Sequence, residues 1–151
     1  MLKNIDPLLG PDLLAALRAM GHGDEIAIVD ANYPASSSGR PLIRLDGISA
    51  TRAAQAILSV LPLDDFTPDN AWHMQVVDDP QADLPIFAEF RQALKDSNGG
   101  RLAGLDRFEF YDKAQSAFVL VVTGEDRLYG NLLLKKGVIR PQTSWEGQTH
   151  R

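Results

Sequence analysis

Three clusters of polar side chains lie at the ends of apolar segments, and their chemistry suits a small polyhydroxylated ligand. His22 stands between two glycines, Asp30 and Asn32 follow an apolar run, and Tyr129 and Asn131 precede another. An imidazole can exchange a proton near neutral pH, and carboxylate, phenol and carboxamide groups bind hydroxyls. Because no nucleotide-binding or metal-binding signature competes with them, we expect a site that works without cofactor or metal.

Each of these candidates also has a purely structural interpretation. A histidine after a helix can contact the last helical carbonyls, and Asp30 can cap the turn after its strand. Residues 129–131 can simply form a turn. Arg107, which a strand at residues 107–110 would place on a polar face, can likewise be solvated or salt-bridged. The residue types alone therefore leave catalysis open.

The composition is that of one globular domain. Of 151 residues, 44% are hydrophobic and 23% are charged, and this length suits a single hydrophobic core. The net charge of -5 disfavours nucleic acid as a partner, because no basic stripe can release counterions. The absence of cysteine excludes disulfides and thiolate sites. Because no signal-like or membrane-spanning run occurs, we expect a cytoplasmic protein that binds no membrane.

The spacing of apolar residues predicts alternating helices and strands. Helices are expected to begin at Pro11, after Ser49 and at Pro85. Strands are expected at residues 25–29, 42–45, 72–77, 118–122 and 132–134. This alternation predicts an α/β fold, with one compact domain over residues 1–140, a central sheet flanked by helices, and a flexible tail over residues 141–151. The order of the strands stays open.

Residues 107–110 alternate with a period of two, which predicts a further strand. In such a strand Phe108 and Phe110 share the core face, while Arg107 and Glu109 occupy the other face. Arg107 is then expected to lie outside the apolar packing.

Eight short segments, in order along most of the chain, carry a family resemblance. They are MLKNI (1–5), PLL (7–9), MGHGD (20–24), DANYP (30–34), MQVV (74–77), FEFY (108–111), TGE (123–125) and YGNLLLKKGV (129–138). Together they closely resemble the RbsD/FucU family, and within it the fucose mutarotase branch. The match runs from residue 1 to about 138, nearly the whole expected domain.

The resemblance implies a cofactor-independent isomerase that interconverts the anomers or ring forms of a free monosaccharide. It also implies an α/β fold assembled into homo-oligomers, often rings such as a decamer, with sites at subunit interfaces. By position, the site residues it implies are His22 as proton donor and, as sugar contacts, Asp30, Arg107, Tyr129 and Asn131.

Two features favour the fucose branch over the ribose pyranase branch. Arg107 stands where the pyranase branch resembles a histidine, and Lys135-Lys136 departs from the shorter pyranase pattern. The serine loop at residues 36–38 departs from the family pattern and could reshape the sugar pocket. Three functions remain open: an L-fucose mutarotase, a D-ribose pyranase, and a non-catalytic sugar-binding or transport-associated protein.

The chemistry of mutarotation agrees with these residues. The ring oxygen must gain a proton while the anomeric hydroxyl loses one, and the reverse must follow after bond rotation. His22 can donate and retrieve that proton, and Asp30 can orient hydroxyls or share in the transfer. Tyr111 and Gln75 are further candidates for the pocket wall.

The strand expected at residues 25–29 separates two of these groups. At about 3.3 Å a residue, His22 and Asp30 lie near its opposite ends, too far apart to hold one sugar. Either the glycine loop folds back or a neighbouring subunit completes the site. Tyr129 and Asn131 are the natural group to come from the adjacent chain.

Overall fold

The computed structural model describes residues 1–97 and 99–141, and it shows an α/β domain. In chain order its elements are α1 (Pro11–Ala19), β1 (Glu25–Val29), β2 (Leu42–Leu45), α2 (Ala50–Leu58), β3 (Ala71–Met74), α3 (Pro85–Asp96), β4 (Leu102–Leu105), α4 (Arg107–Gln115), β5 (Val119–Thr123) and β6 (Leu132–Lys135). The expected α/β class and the flanked central sheet are confirmed. Beyond Pro141, the flexible tail expected from the sequence lies outside the described residues.

The six strands form one mixed sheet in the order β2-β5-β1-β6-β3-β4. Strand β1 pairs parallel with β5, and β3 pairs parallel with β4. Strand β6 runs antiparallel between β1 and β3 and so joins the two parallel groups. As a result, the carboxyl ends of β1, β3, β4 and β5 meet the beginning of β6 at one edge of the sheet, the place where parallel sheets commonly bind ligands.

Both faces of the sheet are buried, because successive residues of each strand point to opposite sides. On one face, Ile26 and Ile28 of β1 pack with α1, α2 and α3. On the other face, Ala27 and Val29 pack with Phe110 of α4. Strand β5 is buried along its whole length. These two apolar layers hold the central strands rigidly, so the polar groups at the strand ends have fixed positions.

The strand predicted at residues 107–110 is wrong, because these residues begin helix α4. Asp106 is its N-cap: its carboxylate accepts a hydrogen bond from the Glu109 backbone N–H, and the Glu109 side chain accepts one from the Asp106 N–H. This capping box starts a helix. Phe110 is fully buried, whereas Phe108 is exposed and lies under the Arg107 guanidinium. Of these two phenylalanines, only Phe110 is therefore a core residue.

The other expected elements are present: β1 and β2 have the expected bounds, and β5 and β6 differ from them by one residue at one or both ends. Helix α2 follows the Ser49 cap, whose side chain accepts a hydrogen bond from the Arg52 backbone N–H, and α3 begins at Pro85. The strand expected at residues 72–77 ends at Met74, and β4 is an additional strand that the sequence analysis did not predict. No described helix is long and apolar enough to cross a bilayer.

Candidate functional site

A cavity of about 190 Å³ lies at the carboxyl edge of the parallel strands. Its lining brings together five of the seven predicted site residues, which are Asp30, Arg107, Tyr111, Tyr129 and Asn131. Asn32, Tyr33, Pro34, Met74, Val77 and Leu128 complete the wall. The volume is below the range of drug-sized pockets and therefore suits a small ligand.

Asp30 follows β1 directly and is only 5% exposed. Its carboxylate accepts a hydrogen bond from the Asn32 backbone N–H at 2.9 Å, and its own backbone N–H donates to the Asn131 side chain at 2.9 Å. Burial raises the pKa of the Asp30 carboxyl above its usual value, although the hydrogen bonds from neighbouring groups oppose that shift. The site thus holds a desolvated carboxylate that prefers to gain a proton or a hydrogen-bond donor.

Tyr129 and Asn131 reach the cavity from the turn that leads into β6. Tyr129 has a φ of 64°, a left-handed conformation that is uncommon outside glycine. Its hydroxyl accepts a hydrogen bond from the Val77 backbone N–H at 3.1 Å, which fixes the ring across the cavity. The Asn131 amide, 3% exposed, lies 3.9 Å from the Met74 sulfur. The turn therefore presents a phenol and a carboxamide beside Asp30.

Arg107 and Tyr111 enter the cavity from the first turns of α4. Arg107 is exposed, as expected, but it is placed there by the start of a helix rather than by a strand face. Tyr111 packs edge-on against Tyr33, with ring centroids 5.5 Å apart. Burial raises the pKa of the Tyr33 phenol, so it stays protonated and can donate a hydrogen bond.

Gln75 lines a neighbouring cavity of about 310 Å³, and Arg107 lines both that cavity and the candidate pocket. Its side chain packs over Gly104, where an added Cβ would come within 2.6 Å of the Gln75 amide nitrogen. The structure therefore places Gln75 beside the candidate pocket rather than among its lining residues.

His22 lies at the other end of β1, outside that cavity. Its Nε2 is 2.8 Å from a carboxylate oxygen of Asp64, and the two side chains are 45% and 1% exposed. Asp64 also accepts a hydrogen bond from the Thr67 hydroxyl, and the Lys135 ammonium is 3.6 Å away. Burial opposes ionisation of Asp64, but the hydrogen bonds from His22, Thr67 and a backbone N–H outweigh it and lower its pKa to about 2.

Asp64 is the functional candidate that the sequence analysis missed. It follows a proline and a leucine after helix α2, where an aspartate is typical of an ordinary polar turn. Only the fold brings it to His22, which is 42 residues away in the sequence. A buried carboxylate that holds one imidazole nitrogen fixes the orientation of the ring.

The loop that carries His22 is fixed by main-chain pairing. The Gly23 N–H donates to the Lys136 carbonyl, and the Lys136 N–H donates to the Asp24 carbonyl. The Lys136 ammonium donates to the carbonyls of Leu17 and Met20 at the end of α1. The loop therefore does not fold back toward Asp30.

The five residues of β1 span roughly 16 Å, so His22 and Asp30 of one chain cannot contact the same monosaccharide. Proton transfer needs heavy atoms about 2.6–3.2 Å apart. Tyr129 and Asn131 were expected to come from the adjacent chain, but they lie beside Asp30 in the same chain. His22 is therefore the site residue that lies apart from Asp30. Within residues 1–97 and 99–141, no group of three or more His, Cys, Asp or Glu residues could hold a metal ion.

Comparison with known proteins decides the family. The RbsD / FucU transport protein family matches residues 3–139. This chain belongs to that family. It is 45% identical over 145 residues to the fucose mutarotase of Homo sapiens, covering 91% of this chain and 94% of that protein. It is 42% identical over 148 residues to the fucose mutarotase of Bos taurus, covering 94% and 97%.

Solved structures of RbsD/FucU proteins share the fold. The fucose mutarotase of Streptococcus pneumoniae, solved in complex with L-fucose, superposes with a TM-score of 0.85 at 39% identity, covering 92% of this chain and 100% of that one. Bacillus subtilis RbsD, complexed with D-ribose, superposes with a TM-score of 0.74 at 20% identity, covering 93% and 100%, a likeness in fold alone. The resemblance found in the sequence is confirmed.

Proposed function

We propose that this chain is a cofactor-independent fucose mutarotase, which interconverts the anomers of free L-fucose in the cytoplasm. The observation that carries the proposal is the cavity where Asp30, Tyr129 and Asn131 converge, in a chain 42% and 45% identical to two fucose mutarotases. Arg107 at the cavity mouth supplies a planar guanidinium that can bind adjacent sugar oxygens.

The proposed reaction needs one proton donor and one proton acceptor. His22 gives a proton to the ring oxygen, and the bond from that oxygen to the anomeric carbon breaks, with its electron pair going to the oxygen. Asp30 takes the proton of the anomeric hydroxyl, which becomes the aldehyde oxygen. Rotation about the bond to the neighbouring carbon and reversal of both transfers then closes the ring in the other configuration. Positioned acid–base groups of this kind contribute roughly 10²–10⁴-fold in rate.

Asp64 supports the donor role of His22 without contacting the sugar. Because its carboxylate engages Nε2, Nδ1 is the imidazole atom left for the substrate. Phe66 packs against the imidazole with ring centroids 4.9 Å apart and limits its rotation.

The distance along β1 supports a site shared between subunits of a homo-oligomer. In this arrangement His22 of one copy approaches the Asp30 cavity of the next, as in a ring such as a decamer. Exposed apolar side chains are grouped at the Asp30 end, where Val77 and Leu128 line the cavity and Phe108 lies on the first turn of α4, and exposed Phe66 lies beside His22. Grouped exposed apolar side chains are typical of surfaces that meet a partner.

Saturation-transfer NMR on equilibrated sugars tests the activity. The wild type should accelerate exchange between the anomers of L-fucose more than exchange in D-ribose or galactose. The variant His22→Gln should lose about 10²–10⁴-fold of that rate. The control His73→Gln changes a half-buried histidine that packs on Phe87 and lies outside the cavity, and it should keep the rate. Binding of fucose without faster exchange would instead support a sugar-binding protein, and faster pyranose–furanose exchange in ribose would support a pyranase.

Mixing two inactive variants tests the shared site. His22→Gln keeps an intact Asp30, and Asp30→Asn keeps an intact His22. If subunits exchange after mild dissociation, about a quarter of the sites in an equal mixture should hold both native residues and regain activity. A mixture that exchanges subunits yet stays inactive would contradict the shared site, as would a fully active monomer in sedimentation.

A further inference from the structure

Glu125 is a buried carboxylate outside the lining of the candidate pocket. It lies two residues after β5, and its side chain is 3% exposed. The carboxylate accepts hydrogen bonds from the backbone N–H of Ala50, from the backbone N–H of Arg127, and from the Arg127 guanidinium at 3.0 and 3.1 Å. A buried charge is costly unless it is paired, so the fold maintains this carboxylate only with its partners.

The backbone of Glu125 is joined to the segment that follows Asp30. Its carbonyl accepts a hydrogen bond from the Ala31 N–H at 2.9 Å. Its side-chain stem packs against Gly130: a Cβ at that glycine would lie 2.7 Å from the Glu125 Cγ and 3.5 Å from the Asp30 Cβ. Glu125 therefore touches both chain segments that deliver sugar-binding candidates to the cavity.

Arg127 extends this contact to two helices. Its guanidinium pairs with Glu89 of α3 as well as with Glu125, and Glu89 also accepts a hydrogen bond from the Thr51 hydroxyl of α2. The pair with Glu89 is about 40% exposed on both sides, so by itself it is weak. The pair with Glu125 is desolvated on the carboxylate side and is therefore the stronger one.

The turn that these contacts hold is itself unfavourable. Tyr129 has its left-handed φ of 64°, and Gly130 leaves no space for a side chain. A non-glycine residue in that conformation is strained and persists only when its surroundings fix it. Glu125 and Arg127 lie only four and two residues before Tyr129 in the chain.

We propose that Glu125, together with Arg127, is a positioning residue that fixes the turn of residues 126–131 and so places the Tyr129 hydroxyl and the Asn131 amide against the sugar. The part of this inference that concerns the sugar rests on the proposed function. The part that concerns the turn does not, because its contacts are present in the protein without ligand.

The variant Glu125→Gln removes the charge pair while keeping side-chain size, and Arg127→Gln removes it with a shorter polar side chain. We expect each to raise KM for L-fucose about three- to tenfold, with a smaller change in kcat, because the sugar contacts are displaced while His22 is untouched. The control Arg91→Gln breaks an exposed pair with Asp83 near the start of α3, a pair that includes no residue of the turn, and should leave KM unchanged.

Two further measurements separate positioning from a merely structural role. In a Tyr129→Phe background, Arg127→Gln should raise KM by a smaller factor than it does in the wild type, because one of the two contacts that it positions is already absent. Amide hydrogen exchange without sugar should be faster in both charge variants at the backbone N–H of position 127 and at that of Ala31. It should be unchanged at Gly124, whose N–H donates to the Ile48 carbonyl.

Additive effects on KM, or unchanged exchange at Ala31, would overturn the proposal. If Glu125→Gln fails to fold, Arg127→Gln gives the same test from the exposed side of the pair. A wild-type protein that fails to accelerate mutarotation would contradict the proposed function, while the exchange measurement would still decide whether Glu125 fixes the turn.

Discussion

The two ends of strand β1 each hold a buried carboxylate, and the two carboxylates have opposite surroundings. At one end Asp64 receives the His22 imidazole, the Thr67 hydroxyl and a nearby Lys135, and its pKa falls to about 2 despite burial. At the other end burial dominates and raises the pKa of Asp30, whose hydrogen-bond partners are neutral. The ionised Asp64 carboxylate therefore stabilises the fold. The ionised Asp30 carboxylate destabilises it, and a ligand that donates a hydrogen bond or a proton to Asp30 would reduce that cost.

This difference suits different functions for the two aspartates. A carboxylate that is fully partnered orients another group, and one that lacks a charged partner is ready to accept a proton or bind hydroxyls. Strained or undercompensated groups at functional sites commonly cost stability, and their removal then stabilises the protein. The two aspartates should thus respond in opposite directions to the same substitution.

The largest effect is expected for Asp30→Asn. The mutarotation rate should fall roughly 10²–10⁴-fold, because the amide cannot accept the anomeric proton. Stability at pH 7 should rise: the folded-state pKa is above the unfolded value of 3.8, so the carboxylate destabilises the fold at neutral pH. The gain should disappear as the pH falls below 3.8. Rate measurements and thermal unfolding at pH 7 and 3.5 check both points.

The control for Asp30→Asn is Asp12→Asn, which changes an exposed aspartate in the first turn of α1. It should leave the rate unchanged. If Asp30→Asn lowered the melting temperature at pH 7, the result would contradict the statement that the ionised Asp30 carboxylate destabilises the fold.

A smaller effect, in the opposite direction for stability, is expected for Asp64→Asn. The folded-state pKa of about 2 is below the unfolded value of 3.8, so ionised Asp64 contributes about 2 kcal/mol at pH 7. That contribution is present above about pH 4 and is lost as the pH falls toward 2. Urea unfolding of wild type and variant across pH 2–7 should show the gap closing at the acid end.

Asp65 provides the matched control for Asp64. It is the next residue, it is exposed, and it pairs with the exposed Arg140 on the surface. Asp65→Asn should change stability far less than Asp64→Asn at pH 7, because exposed pairs contribute little. An equal loss in both variants would mean that the burial of Asp64 is not what matters.

The sequence predicted the helices and strands more accurately than it predicted the contacts between them. Strands β1 and β5 were found because both are short, continuous apolar runs, and Asp30 was found because it follows such a run. Asp64 was missed since its partner His22 is distant in the sequence, and periodicity carries no information on long-range pairing. Strand β4 was missed because its four residues are only partly buried and contain a glycine.

Residues 107–110 show how a local pattern can mislead. The alternation of aromatic and charged residues suggested a strand, yet Asp106 and Glu109 stand three residues apart in the spacing of a capping box. That signal was present in the sequence and favours a helix start. It matters for the site, because the first turn of α4 carries Arg107 to the cavity.

The smallest effect is expected for Asp106→Ala, which removes this N-cap. Loss of the hydrogen bond to the Glu109 N–H should lower the melting temperature by about 2–4 °C. It should also loosen the first turn of α4, and KM for L-fucose should rise a few-fold as Arg107 loses its fixed position. Thermal unfolding and mutarotation kinetics on the same preparation measure both changes.

Ser49→Ala is the matched control, because it removes the equivalent cap of α2, a helix whose residues are absent from the cavity lining. It should lower the melting temperature by a similar amount and change KM less than Asp106→Ala does, since no sugar-binding candidate lies on that first turn, although Ala50 donates its N–H to Glu125. If both cap variants raised KM equally, the rise would reflect general loosening of the domain. A rise for Asp106→Ala alone would tie sugar affinity at the Asp30 end of β1 to the start of α4.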